Sequence, residues 1–107
     1  MDIVNEKTTM IVTVSFTDED GDAVDVDSAN YQIYDEDTLT AIKASTSITS
    51  PTTSADITIS SSENKIITTS KQFETHILLI DYTYSTTKVA QTEYRFAVRN
   101  MTNVAVT

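Results

Sequence analysis

The amino-acid sequence is dominated by side chains that branch at Cβ. Nine valines, 11 isoleucines and 20 threonines make up 40 of the 107 residues, whereas leucine occurs only 3 times. A side chain branched at Cβ has few χ1 rotamers and packs well on the pleated, half-buried surface of a sheet. The composition therefore predicts an all-β protein, and the length predicts one domain, residues 1–107.

The order of apolar and polar residues predicts where the strands lie. The alternation typical of strands with one buried face runs through four segments: 8–16, 29–33, 55–59 and 92–98. Glu74–Tyr84 is the most apolar segment, and because Ile77–Ile80 is apolar on both faces it predicts a central strand covered on both sides. Further strands are predicted at 39–42 and in the tail, 101–107, with a loop or weak edge strand at 44–54. About seven short strands separated by regular turns favour an antiparallel β-sandwich over a small barrel.

Negative charge is concentrated in one stretch of the chain. Nine acidic residues lie between Asp18 and Asp37, and they account for the net charge of −9, since the other 7 acidic residues equal the 7 basic ones. Such a field repels nucleic-acid phosphates and anionic lipid, so no nucleic-acid or membrane partner is predicted. Neither an apolar run of about 18 residues nor the basic start of a secretory signal is present, which predicts no membrane span and no leader.

Asp18, Asp20 and Asp22 are spaced like the first ligands of a calcium-binding loop. The sixth and twelfth positions of such a loop are alanines here, so the EF-hand pattern fails. A looser calcium site remains an alternative if Asp35 and Asp37 in the next turn approach these residues. The interpretation favoured by the sequence is a solvated turn whose aspartates accept local backbone hydrogen bonds, with no metal ligands assigned.

Few residues in the chain have catalytic chemistry. The chain has no cysteine and a single histidine, His76, which excludes disulfides, thiolate zinc sites and clusters of several histidines. His76 lies in the most apolar segment and is predicted to be structural, so no enzyme, catalytic residue or cofactor is expected. The tyrosines offer a carbohydrate platform as an alternative, since Tyr82 and Tyr84 share one face of a strand.

The two ends of the chain are predicted contact elements. The N-terminal arm, residues 1–7, and the tail, residues 101–107, carry few of the features that keep an edge strand from pairing with a neighbour. Docking of one terminus on a partner by strand addition is therefore expected.

Several segments together resemble the small immunoglobulin-like or fibronectin-III-like proteins of tailed-phage virions. The segments that carry the resemblance are Val12–Asp25, Tyr31–Asp35, Asp56–Ile59, Asn64–Ile66 and Glu93–Asn100. The resemblance implies an all-β, antiparallel immunoglobulin-like β-sandwich of about seven strands. It also implies a structural role as a capsid-decoration or head–tail accessory protein.

The same resemblance implies a location and a set of partners. The expected location is the virion, assembled in the host cytoplasm. The expected partners are capsid, portal or tail proteins, contacted by several symmetric copies. A calcium-stiffened extracellular or adhesin-type module and a carbohydrate-binding module remain the alternatives.

Overall fold

The structure is a computed structural model that describes residues 2–49, 51–68 and 70–101. These residues form seven strands: β1 (Asp2–Asn5), β2 (Met10–Ser15), β3 (Ser28–Asp35), β4 (Ala41–Ser47), β5 (Ser54–Ile59), β6 (Phe73–Tyr84) and β7 (Lys88–Arg99). The all-β prediction is therefore confirmed. Within the described ranges, no helix has the length and hydropathy needed to cross a membrane.

The strands form two sheets that enclose one core. The larger sheet has the order β1-β7-β6-β3-β4, and the smaller sheet consists of β2 and β5. Fully buried side chains from the large sheet, such as Leu78 and Phe96, pack in one cluster with Val12 and Ile57 of the small sheet. Two sheets packed face to face in this way form a β-sandwich, as the sequence predicted.

The predicted core faces agree with the observed burial. Val12, Val14 and Phe16 are buried while the residues between them are exposed, which is the alternation that the sequence shows. On β7 the same alternation buries Phe96 and Val98. A period of two places every second side chain in the core, so this part of the fold follows from local patterning.

The outer face of β6 differs from the prediction. Even-numbered residues of β6 face the small sheet, but no third layer of described residues covers the odd-numbered face. Ile77 is nonetheless only 4% exposed. Its direct neighbours across the sheet are Tyr34 on β3 and Arg95 on β7, whose long side chains lie on the same face. Neighbouring strands, and no second sheet, therefore shield this apolar run.

Strand pairing also departs from the prediction at the N-terminus. The predicted arm contains β1, which pairs in parallel with β7 from Asp2 opposite Phe96 to Asn5 opposite Arg99. β2 pairs with β5 and not with β3, the strand that follows it in the sequence. Of the strand predicted in the tail, 101–107, only Met101 is among the described residues, and it is not part of a strand.

Two strands are longer than their predicted segments, 39–42 and 92–98. β4 continues to Ser47 at the edge of the large sheet, because Tyr31 and Asn30 of β3 pair with Thr46 and Ser47. The first residues of the segment predicted to be a loop or a weak edge strand are therefore an edge strand. β7 begins at Lys88, four residues before the predicted start. In both places the partner strand supplies hydrogen bonds to a segment whose own alternation is weak.

Candidate functional site

The predicted acidic turn is closed by its own hydrogen bonds. Oδ1 of Asp18 accepts hydrogen bonds from the backbone N–H groups of Asp20 at 2.9 Å and Asp22 at 3.0 Å, and Gly21 has a φ of 84°. One carboxylate oxygen from each of Asp18, Asp20 and Asp22 lies within 4.8 Å of the others. Asp18 therefore accepts local backbone hydrogen bonds, as the sequence predicted for this turn.

A neighbouring carboxylate fastens this turn to the β6–β7 hairpin. Glu19 accepts hydrogen bonds at 3.0 Å from both Lys88 Nζ and the Tyr84 hydroxyl. The hydrogen bond from Lys88, followed by that from Tyr84, lowers the pKa of Glu19. The same pair raises the pKa of Lys88, chiefly through the hydrogen bond to Glu19. The turn is thus held at the Tyr84 end of β6.

The second predicted acidic turn lies at the opposite end of β6. Asp35 is directly across the sheet from His76, whereas Glu19 contacts Tyr84, eight residues further along the strand. At about 3.4 Å per residue this separation is about 27 Å. Asp35 and Asp37 therefore do not join Asp18 in one site, and the shared calcium site considered from the sequence does not form. Asp37 instead forms an ion pair with Lys71.

The structure brings together a polar cluster that the sequence reasoning missed. Asp35, Glu74 and His76 are 0%, 1% and 0% exposed, and His76 Nε2 lies 2.7 Å from Glu74 Oε1. The available signal was the spacing of Glu74 and His76, two residues apart on one face of the most apolar strand. Their contact with Asp35 required knowledge that β3 pairs with β6 in this register.

Tyr82 and Tyr84, the pair predicted to share one face, do not form an exposed platform. Tyr82 and Tyr84 share one face, as predicted, but that face is the core, and each side chain is only 5% exposed. The ring of Tyr82 packs edge-on against Phe16, with the ring centroids 4.9 Å apart. These rings stabilise the sandwich and are not available to stack on a sugar.

The free edge of β2 has none of the features that protect the edges of the large sheet. β4, at one edge of the large sheet, carries Lys43 and two register shifts, both features that hinder pairing with another strand. β1, at the other edge, has only four residues. β2 spans Met10–Ser15 with no lysine, proline or register shift, and only its β5 side is paired.

Unpaired backbone groups on β2 point away from β5. The N–H of Phe16 donates to the carbonyl of Thr53, which precedes β5, at 2.9 Å. Because successive residues of a strand direct their N–H and C=O groups to alternate sides, those of Ile11, Thr13 and Ser15 point to the free edge. An extended peptide placed there would continue the two-stranded sheet.

A groove runs beside this free edge. Its volume is about 200 Å³, and its walls come from both sheets: Val12, Thr13, Val14 and Ser15 on β2, Ile80 on β6, and Thr92, Glu93 and Tyr94 on β7. Every second side chain of an added strand would enter this groove, where apolar and hydroxyl groups are both present. Binding of an extended strand is the chemistry that this arrangement supports.

Tyr94 lines the groove, and its hydroxyl is a weaker acid than that of an ordinary tyrosine. Burial, together with a hydrogen bond that its hydroxyl donates to Asp2, raises the pKa of Tyr94 from 10.0 to about 12. The hydrogen bond joins β1 to β7. The protonated phenol therefore contributes to the attachment of β1.

In an alkaline titration followed by phenolate absorbance, we expect Tyr94 to ionise near pH 12, later than an ordinary tyrosine. Because the folded-state pKa is raised, the stability contributed by Tyr94 is fully present below pH 10 and is lost as the pH rises through about 12. Asp2→Asn should lower this pKa, and Tyr94→Phe should remove the late transition. Five tyrosines that all ionise together near pH 10 would contradict the expectation.

Comparison with known proteins gives no match: no family model and no curated protein matches the sequence, and no solved structure matches the fold.

Proposed function

We propose that this protein is a non-enzymatic structural component of a bacteriophage virion, in a capsid-decoration or head–tail accessory position. It binds a neighbouring virion protein by accepting an extended strand on the free edge of β2. The observation that carries this proposal is the unprotected edge of β2 beside a groove lined by both sheets. Main-chain hydrogen bonds would give such a contact its affinity, and the groove would select alternate side chains.

The strand order supports the immunoglobulin-like part of the proposal. In an immunoglobulin sandwich, strands C, F and G are neighbours in one sheet, and strands B and E are neighbours in the other. Here β3, β6 and β7 are neighbours in the large sheet, and β2 pairs with β5. If β2 corresponds to strand B, then β3, β5, β6 and β7 correspond in chain order to strands C, E, F and G. β4 then lies between C and E. An immunoglobulin-like sandwich of this order has a strand A beside strand B, on the side where β2 is free.

Apolar exposure on β2 also supports a contact there. Ile11 is 65% exposed on the outer face of the small sheet, next to Thr13 along the free edge. A strand added to β2 would place an outward side chain beside Ile11 and remove part of its apolar surface from water. An edge strand that already carries an exposed isoleucine gains from being paired.

The test compares two proline variants. Thr13→Pro removes an N–H that points to the free edge of β2, and proline is tolerated at such edge positions. Thr58→Pro is the matched control, because Thr58 lies opposite Ile11 and directs its own N–H to the free edge of β5. Both variants should stay folded, which circular dichroism checks.

The partners to be tested are the capsid, portal and tail proteins encoded in the same genome. We expect the wild-type chain to co-sediment with one of their assemblies, and we expect Thr13→Pro to weaken binding by about tenfold or more, equivalent to about 1.4 kcal/mol. Thr58→Pro should bind like the wild type. A wild-type chain that stays monomeric and binds none of these proteins would overturn the proposed function, and equal binding by both variants would overturn the role of β2.

A further inference from the structure

The buried cluster of Asp35, Glu74 and His76 joins two strands at one end of the large sheet. Asp35 is the last residue of β3, while Glu74 and His76 begin β6, and all three point into the core. One carboxylate oxygen from each acid and one ring nitrogen of His76 lie within 4.8 Å of one another. Two carboxylates removed from water beside an imidazole are costly unless other groups compensate them.

Two buried side-chain atoms of the cluster accept or donate no hydrogen bond among the described residues. Glu74 accepts from the backbone N–H groups of Ile67 and Thr68, each at 2.8 Å, and lies 2.7 Å from His76 Nε2. Oδ2 of Asp35 accepts two hydrogen bonds from Thr38. Oδ1 of Asp35 and Nδ1 of His76 are shielded from solvent and have no hydrogen-bond partner among the described residues. Buried polar atoms are rarely left without a partner, so these two atoms point to a ligand.

We propose that Asp35, Glu74 and His76 form a binding site for a divalent transition-metal ion of the zinc type. Imidazole nitrogen and carboxylate oxygen are both zinc ligands, with bonds of about 2.0–2.2 Å. A tetrahedral ion holds ligand atoms about 3.3 Å apart at that bond length. The candidate ligand atoms lie within 4.8 Å of one another, and the 2.7 Å contact between Glu74 and His76 would open as an ion entered between them.

The chemistry of the ligands decides between classes of metal ion. Calcium requires six to eight oxygen ligands, and magnesium binds mainly oxygen and water, whereas a single imidazole with two carboxylates suits zinc and its neighbours. A charge of about +2 would also offset the two buried carboxylates. The ion would fasten the end of β3 to the start of β6, independently of any partner bound at β2.

The first experiment uses the full chain without a histidine tag, stripped with a chelator and then melted with zinc, calcium, magnesium or no ion. We expect zinc to bind at one ion per chain. At a concentration of about 100 times its dissociation constant, zinc should raise the melting temperature by roughly 10–20 °C. Calcium and magnesium should leave the melting temperature unchanged. A shift that is absent with zinc, or equal with all three ions, would overturn the proposal.

Substitutions at the cluster and at the acidic turn test which residues bind the zinc ion. His76→Gln and Asp35→Asn should each abolish the zinc-dependent shift, while Asp18→Asn and Asp20→Asn, at the distant acidic turn, should keep it. If a cluster variant does not fold, X-ray absorption of the zinc-loaded wild-type chain supplies the same information. His76 is the only histidine and the chain has no cysteine, so the spectrum should show one imidazole and no sulfur ligand. A zinc shift retained in folded His76→Gln, or a spectrum without imidazole, would refute the site.

Discussion

Replacing Phe16 with alanine is expected to lower the free energy of unfolding by about 3–5 kcal/mol. Phe16 is fully buried, and its ring packs edge-on against Tyr82, 4.9 Å away between centroids, so the substitution removes an aromatic pair and leaves a cavity between the sheets. For a domain of this size the melting temperature should fall by at least about 12 °C, since each kcal/mol shifts it by roughly 4–8 °C. Denaturant and thermal unfolding would measure both quantities.

The control for this variant is Ile11→Ala. Ile11 is 65% exposed on the outer face of β2, the strand that leads directly to Phe16. Its substitution removes apolar surface that is already in water, so the free energy of unfolding should change by no more than about 0.5 kcal/mol. Equal losses for the two variants would contradict the assignment of β2's inner and outer faces.

The faces of the strands could be read from the sequence because burial in a sheet has a period of two. Val12, Val14 and Phe16 face the core for the same reason that Ile11 and Thr13 do not, and no knowledge of the partner strand is needed to say so. The composition gave a second constraint, since a chain rich in valine, isoleucine and threonine favours sheets throughout. Fold class and core faces are thus local properties.

The pairing of strands is not a local property, and here the sequence reasoning was weaker. Nothing within Asp2–Asn5 specifies a parallel partner almost a hundred residues away, yet β1 pairs with β7. β2 likewise pairs with β5, which follows two intervening strands in the sequence, and not with the next strand. The hydrophobic pattern says which face is buried but leaves the neighbour open, because many pairings bury the same faces.

The candidate sites show the same division. The acidic turn was evident from Asp18, Asp20 and Asp22, because its residues are adjacent in sequence, and it closes on its own backbone as expected. The cluster that contains His76 depends on the register of β3 against β6, so no local pattern reveals it. The free edge of β2 is equally invisible in the sequence, since an edge is defined by the strand that is absent beside it.

Replacing Glu74 with alanine is the second substitution with a large expected effect. The carboxylate accepts the N–H groups of Ile67 and Thr68 and lies 2.7 Å from His76 Nε2, so its removal leaves one buried ring nitrogen and two half-buried backbone N–H groups without this partner. An unsatisfied buried group costs about 1–3 kcal/mol, and the cost is larger when the lost hydrogen-bond partner carried a charge. Because three hydrogen bonds to the carboxylate are lost, we expect a loss of about 3–5 kcal/mol in the free energy of unfolding, measured with a chelator present so that no metal contributes.

Two further variants separate the hydrogen bonds of Glu74 from its charge. Glu74→Gln keeps the shape but offers one acceptor oxygen, and its NH₂ group meets a backbone N–H, so an intermediate loss is expected. Glu93→Ala removes one negative charge from the exposed face of β7, where the carboxylate contacts only Arg95 in the described structure, at 3.2 Å, and should cost at most about 1 kcal/mol. Equal destabilisation by Glu74→Ala and Glu93→Ala would contradict this prediction. It would mean that the hydrogen bonds from Ile67 and Thr68 to the Glu74 carboxylate contribute little to stability.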